Sequence, residues 1–150
     1  MMIDIYTHIF PKTFYERMNA VAPLLGNIGK RMQSVKPVHD LDVRFRMMDP
    51  FGDYRQVISL PNPPIEDYAT PAQGAELARI ANDTMAEMVR KYPDRFCAFV
   101  AAVCMTDMDA TMREAQRAVE DLGAAGVQIF TNVKGKPLDR PEFQPFFAAM

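Results

Sequence analysis

Apolar and polar positions along the chain switch repeatedly between a strand-like and a helix-like pattern. Met2–Tyr6 predicts a short strand of mixed character, with Asp4 inside it. Pro11 follows and opens a predicted helix over Lys12–Val21, where Phe14, Met18 and Val21 recur at helical spacing. Between Ala22 and His39 the chain carries Pro23, Gly26, Gly29 and Pro37, which predicts a loop with room for a small hairpin. Asp40–Met48 predicts a short helix running into the Pro50–Gly52 break. Gln56–Leu60 is an apolar strand, bounded by Gly52-Asp53 before it and Pro61-Asn62-Pro63-Pro64 after it.

The next helix carries its own start signal. Thr70 can cap, Pro71 suits the first helical position and Gln73 completes a capping box. Leu77, Ile80, Ala81, Met85, Met88 and Val89 mark one face as far as about Lys91, and Pro93 ends the helix. Phe96–Cys104 is an apolar run without polar alternation, the pattern of a parallel strand buried on both faces. Met108–Leu122 predicts a helix with Met108, Met112, Ala115, Val119 and Leu122 on one side and Gly123 as its stop. Val127–Phe130 predicts a fourth strand, and Pro141–Met150 a last helix with Phe143, Phe146 and Phe147 turned inward.

This alternation predicts right-handed βαβ units and a parallel sheet. A dinucleotide-binding fold would place a glycine-rich phosphate loop after the first strand. Tyr6-Thr7-His8-Ile9-Phe10-Pro11 stands there instead. The length of 150 residues suits one domain. A net charge of −2 gives no reason to expect nucleic acid or an anionic membrane as partner. No apolar run is long enough to span a bilayer, and the N-terminus lacks the basic start of a secretory signal, so a cytoplasmic location is expected. Cys97 and Cys104 do not make a disulfide framework and read as buried thiols. The 12 methionines read as core filler.

If the strands close into a barrel, chemistry belongs at their C-terminal ends. Those positions are Tyr6 and His8, Ser59 and Asn62, Met105 and Thr106, and Thr131 and Asn132. Tyr6 and His8, two apart on a strand, point the same way. A histidine pair at that spacing would clamp a divalent metal; here only His8 is present, and alone it reads as a structural or substrate-facing residue ahead of a metal ligand. His39 reads as a plain surface residue. Asp40, Asp42 and Asp49 with Arg44 and Arg46 read as a solvated helix face. Lys30 and Arg31 are exposed loop charges that could reach a substrate carboxylate over the barrel mouth.

These residues also resemble a known family. Ile3-Asp4-Ile5-Tyr6-Thr7-His8-Ile9-Phe10-Pro11-Lys12 is similar to the opening of the aminocarboxymuconate-semialdehyde decarboxylase family, in the amidohydrolase superfamily. So are Val43–Asp49 with Gln56–Pro61, Asn82-Asp83 with Tyr92–Phe96, and Gly126–Ile129 with Thr131, Leu138-Asp139 and Pro141–Phe143. The resemblance runs through the whole chain. It implies an α/β fold in which residues 1–150 form the N-terminal half, about four βα units, of a TIM-type (β/α)8 barrel with one divalent metal, usually zinc. The implied activity is non-oxidative decarboxylation, or hydrolysis, of an aromatic or muconate-like carboxylic acid.

His8 matches the family's second metal ligand, while Tyr6 stands where the first histidine is expected, and a neutral phenol is a poor zinc ligand. The family's remaining ligands fall beyond Met150, so no catalytic residue is expected within this chain. Asn62, Thr131, Asn132 and Arg31 are the expected substrate contacts. A homo-oligomer is expected, because a half-barrel leaves strand edges open. Two other expectations stand beside this one. The chain is a catalytically inactive truncated remnant with a binding or assembly role, or it is a small open-sheet α/β domain complete in itself.

Overall fold

The structure is a computed structural model that describes residues 1–23 and 34–150. Its central strands are β1 (Met2–His8), β2 (Tyr54–Ser59), β3 (Phe96–Phe99), β4 (Ala101–Ala102) and β5 (Val127–Gln128). They pair in parallel, β1 with β2, β2 with β3, and β4 with β5. Only Val100 separates β3 from β4. Its N–H still donates to the Ile58 carbonyl at 2.9 Å, whereas the Ala101 N–H already donates to the Gly126 carbonyl at 2.9 Å. The strand expected over Phe96–Cys104 is therefore two short ladders that change partner at Val100. The apolar run could not show this, because both faces are covered on either side of the switch. β2 starts two residues earlier than expected, and β5 stops at Gln128 rather than Phe130.

β1 runs two residues past the expected Tyr6. Its register advances from Asp4↔Gln56 to Thr7↔Ile58, three residues against two, which is a bulge at Ile5-Tyr6. Tyr6 is 80% exposed there.

The helices pack on the sheet by the apolar stripes expected of them, except that Val119, expected on the inner face of its helix, is 42% exposed and the buried residues there are Thr111, Ala115 and Ala118. Helix α1 (Lys12–Val21) buries Phe14 and Met18. Asp40 caps α2 (Leu41–Met48) by accepting from the Val43 N–H at 3.0 Å. A one-turn helix α3 (Ile65–Tyr68) precedes α4 (Pro71–Lys91), whose capping box is formed by Thr70 and Gln73 as expected. Helix α5 (Met108–Glu120) is capped by Asp107, and Gly123 takes a positive φ of 74° after it, as its stop position requires. Leu77, Met85, Phe96, Phe99 and Phe14 belong to one buried cluster. Val103, Met105, Ala115, Val133, Phe143 and Phe146 form a second.

The C-terminal segment departs from its pattern. Pro141–Phe143 is a 3-10 turn, and only Gln144–Ala149 is α-helical (α6). Phe143 and Phe146 are buried, but Phe147 is 43% exposed rather than inward. Neighbouring residues of an α-helix point about 100° apart, so Phe147 turns away where Phe146 faces the cluster. A small antiparallel hairpin, β6 (Asn132–Val133) and β7 (Lys136–Pro137), turns through Lys134 at φ 50° and Gly135 at φ 79°. The hairpin considered between residues 22 and 39 falls largely on residues 24–33, outside the described residues. Among the described residues no helix is long and apolar enough to cross a membrane.

Glu66 on α3 is buried, and its Oε2 meets no hydrogen-bond donor among the described residues. Burial pushes its pKa up. A carboxyl whose folded pKa lies above its unfolded value binds more protons folded than unfolded, so it contributes stability at low pH that is lost as pH rises through the folded pKa. Glu66→Gln is expected to raise stability at pH 7 by about 1 kcal/mol and to flatten the decline above the unfolded carboxylate value. Urea midpoints between pH 4 and 8 measure this; parallel curves for the two proteins would refute it.

Candidate active site

The end of β1 is tied to the end of β2 by side chains as well as backbone. Thr7 Oγ1 donates to the Val57 carbonyl at 2.8 Å. His8 and Ser59 are cross-strand partners, with His8 Nδ1 and Ser59 Oγ 3.0 Å apart. Ser59 Oγ also donates to the Thr7 carbonyl at 3.2 Å, and the Ile9 N–H donates to the Ser59 carbonyl at 2.9 Å. The Tyr6 ring meets the His8 ring edge-on, centroids 4.8 Å apart. His8 is half-buried. Its pKa is lowered, first by desolvation and then by the nearby Arg44 cation, so the neutral imidazole is favoured.

Arg44 was expected on a solvated face, and the structure corrects this. It is 5% exposed. Its Nε donates to Gln56 Oε1 at 2.7 Å, and its Nη1 to the carbonyls of His8 at 2.7 Å and Pro37 at 3.3 Å. Gln56 Nε2 donates to the Tyr54 hydroxyl at 3.0 Å, which donates to Asp4 Oδ2 at 2.8 Å. A partly buried chain of polar groups thus runs from Asp4 to the backbone of His8. Burial brings the Arg44 pKa down to about 10, which still leaves a cation at neutral pH. The guanidinium tolerates burial because carbonyl and amide oxygens meet its donors. Asp42 and Arg46 are exposed as expected, while Asp49 pairs with Arg95. His39 is corrected too. It is half-buried, stacked on Phe10 at 5.5 Å and edge-on to Tyr15 at 4.6 Å.

Beside His8 opens a cleft of about 740 Å³. Tyr6, Ser59, Asn62, Thr131 and Asn132, five of the expected strand-end positions, all line it, while Met105 and Thr106 line a separate pocket. Residues far apart in sequence are brought together because parallel strands lead all their C-terminal ends to one side. Ser59, Asp67 and Gln128 line the same cleft, and sequence reasoning had not put them forward as contacts. Only Ser59 had a signal, its strand-end place. Gln128 Nε2 donates to the Leu60 carbonyl at 3.2 Å, and Asn132 Oδ1 accepts from the Gly135 N–H at 2.8 Å. His8 itself lies in an adjoining recess of about 280 Å³, with Arg44, Tyr54 and Gln56, and Tyr6 borders both. Lys30 and Arg31 lie outside the described residues.

One imidazole at a strand end, held at Nδ1, suits a single ligand of a divalent metal. Among the described residues no group of three or more His, Cys, Asp or Glu could complete such a site.

Residues 3–150 match the family model described as Amidohydrolase. Gamma-resorcylate decarboxylase of Rhizobium sp. (strain MTP-10005) is 38% identical over 112 residues, which cover 71% of this chain and 34% of that protein. The 2-amino-3-carboxymuconate-6-semialdehyde decarboxylase of Dictyostelium discoideum is 27% identical over 164 residues, covering 98% of this chain and 45% of its own. In fold, the chain matches 5-carboxyvanillate decarboxylase from Sphingomonas paucimobilis with a TM-score of 0.85 at 25% identity, over 99% of this chain and 48% of that one. A dihydroxybenzoic acid decarboxylase from Polaromonas sp. JS666, solved with bound manganese and the inhibitor 2-nitroresorcinol, matches with a TM-score of 0.74 at 28% identity, over 98% and 45%. The chain thus spans between a third and a half of the length of these relatives.

Proposed function

From the premise that this chain belongs to the amidohydrolase family, we propose that it supplies the first four βα units of a metal-dependent (β/α)8 barrel that decarboxylates an aromatic or muconate-like carboxylic acid without an oxidant. The observation that carries this reading is the gathering of Tyr6, Asn62, Thr131 and Asn132 around one cleft beside His8. The decarboxylases among its relatives support the reaction class.

In this reading His8 is a metal ligand through Nε2, and Tyr6 takes the place of a second ring. A divalent cation, when bound, supplies positive charge for the substrate's oxygens. The family resemblance implies zinc; the manganese of the Polaromonas relative supports the divalent charge they share. The side chains of Tyr6, Asn62 and Thr131 orient the substrate by hydrogen bonds from the cleft wall. Decarboxylation then protonates the carbon that carries the carboxylate and breaks its bond to that group, releasing carbon dioxide. No residue of this chain is assigned the proton donor. Homo-oligomer formation belongs to the same reading. Tyr6 in the first ligand position is what favours the rival reading of an inert chain.

Replacing His8 by alanine in the full-length protein decides between them. The expected result is loss of bound metal and a fall of more than about 100-fold in decarboxylation of 2,6-dihydroxybenzoate, since outer partners of metal ligands alone cost 10–100-fold. Unchanged metal content and rate would sink the assignment.

A further inference from the structure

We propose that Ser59 is a positioning residue that selects the tautomer of His8 and so aims its Nε2 lone pair at the metal. The inference rests on the reading of His8 as a ligand. A serine hydroxyl has one hydrogen. The Thr7 carbonyl, 3.2 Å from Ser59 Oγ, can only accept, so that hydrogen is committed to it. His8 Nδ1, 3.0 Å from the same oxygen, must then be the donor. The ring is therefore protonated at Nδ1, and the lone pair sits at Nε2. In the other tautomer two lone pairs would face each other across that distance, unless Ser59 let go of Thr7.

The surroundings leave Ser59 and His8 little freedom to rearrange. Ser59 is buried, so water is a poor substitute for its hydroxyl. The two residues are held in register as cross-strand partners in β1 and β2. Arg44 Nη1 grips the His8 carbonyl at 2.7 Å from the far side. A ligating histidine is commonly oriented by a hydrogen bond from its other ring nitrogen, to a carboxylate, a carbonyl or water. Here a hydroxyl does this, made directional by its own commitment to the neighbouring carbonyl. The signal was available in sequence only as a serine at a strand end.

The test compares Ser59→Ala, Ser59→Thr and His8→Ala with the wild-type full-length protein by manganese titration, by ¹⁵N shifts of the labelled histidines in metal-free protein, and by thermal melting. Ser59→Ala is expected to weaken manganese binding about 10–100-fold, to turn the His8 signal from the Nδ1–H tautomer into a mixture, and to leave the melt nearly unchanged. Ser59→Thr, which keeps the hydroxyl, is expected to restore binding to within a few-fold. Wild-type affinity in Ser59→Ala, or Ser59→Thr as weak as Ser59→Ala, would overturn the inference, as would an Nε2–H signal for His8 in the wild type. If His8→Ala binds manganese as tightly as wild type, or the wild type takes up none, the ligand reading itself has failed. If His8→Ala loses manganese and Ser59→Ala does not, only the role of Ser59 has failed.

Discussion

Asn82→Ala will lower the stability of the fold by about 3–4 kcal/mol, as the loss of a buried hydrogen-bonding set at 1–3 kcal/mol per unmet group. Asn82 lies in the middle of α4 and is 0% exposed. Its Nδ2 donates to the Ala102 carbonyl at 2.9 Å, and its Oδ1 accepts from the Ala102 N–H at 2.8 Å. Nδ2 also donates to Glu114 Oε1 on α5 at 2.8 Å. The side-chain amide thus pairs with Ala102 as a neighbouring strand's peptide would, and joins α4, β4 and α5. Alanine leaves both Ala102 groups without these partners in a place closed to water. At about 2–4 °C per kcal/mol for a chain of this size, the melting temperature should fall by roughly 6–16 °C. Asn82→Asp keeps the acceptor, loses the donor and sets a carboxylate beside Glu114, so it should be no milder. A melting temperature within about 2 °C of wild type for Asn82→Ala would show that the amide is dispensable.

Phe96→Ala will cost about 3–5 kcal/mol, the range for truncating a fully buried phenylalanine. Phe96 opens β3 and is completely buried. Its ring lies 5.7 Å from that of Phe45 and 6.4 Å from that of Tyr92. The Arg44 guanidinium carbon lies 5.6 Å from its centroid. Truncation therefore removes a packed ring and also the floor under the cation that holds the His8 carbonyl. Manganese binding should weaken along with stability. Phe147→Ala is the control, since that residue is 43% exposed, and it should change stability by only about 1 kcal/mol. Urea midpoints for the two variants make the comparison; equal costs would mean that Phe96 does not pack as described.

The elements whose cause is local were legible in the sequence. Thr70, Pro71 and Gln73 start α4 through bonds spanning three residues, and its apolar stripe repeats every turn. Gly123 acts as a stop for a similarly short-range reason. The alternation of strands and helices was enough to indicate a parallel sheet and strand ends on one side. That the His8 and Tyr6 side chains lie together was legible because two residues on one strand carry their geometry with them.

What the sequence left undecided depends on partners far along the chain. The bulge at Ile5-Tyr6 exists only relative to β2, and the ladder change at Val100 only relative to β2 and β5. Arg44 reads as a surface charge until Gln56 and the His8 carbonyl, 12 and 36 residues away, are folded around its donors. Ser59 meets His8 across 51 residues, and Asn82 meets Ala102 across 20. Periodicity reports whether a side chain points inward. It does not report what waits there, and a buried polar group is decided by whether a partner of the right donor or acceptor type stands within about 3 Å. The sequence by itself indicated the main alternation of strands and helices and put forward His8 as a candidate metal ligand. Tertiary structure alone decided which polar side chains are buried, because only the packed fold brings their distant partners within bonding distance.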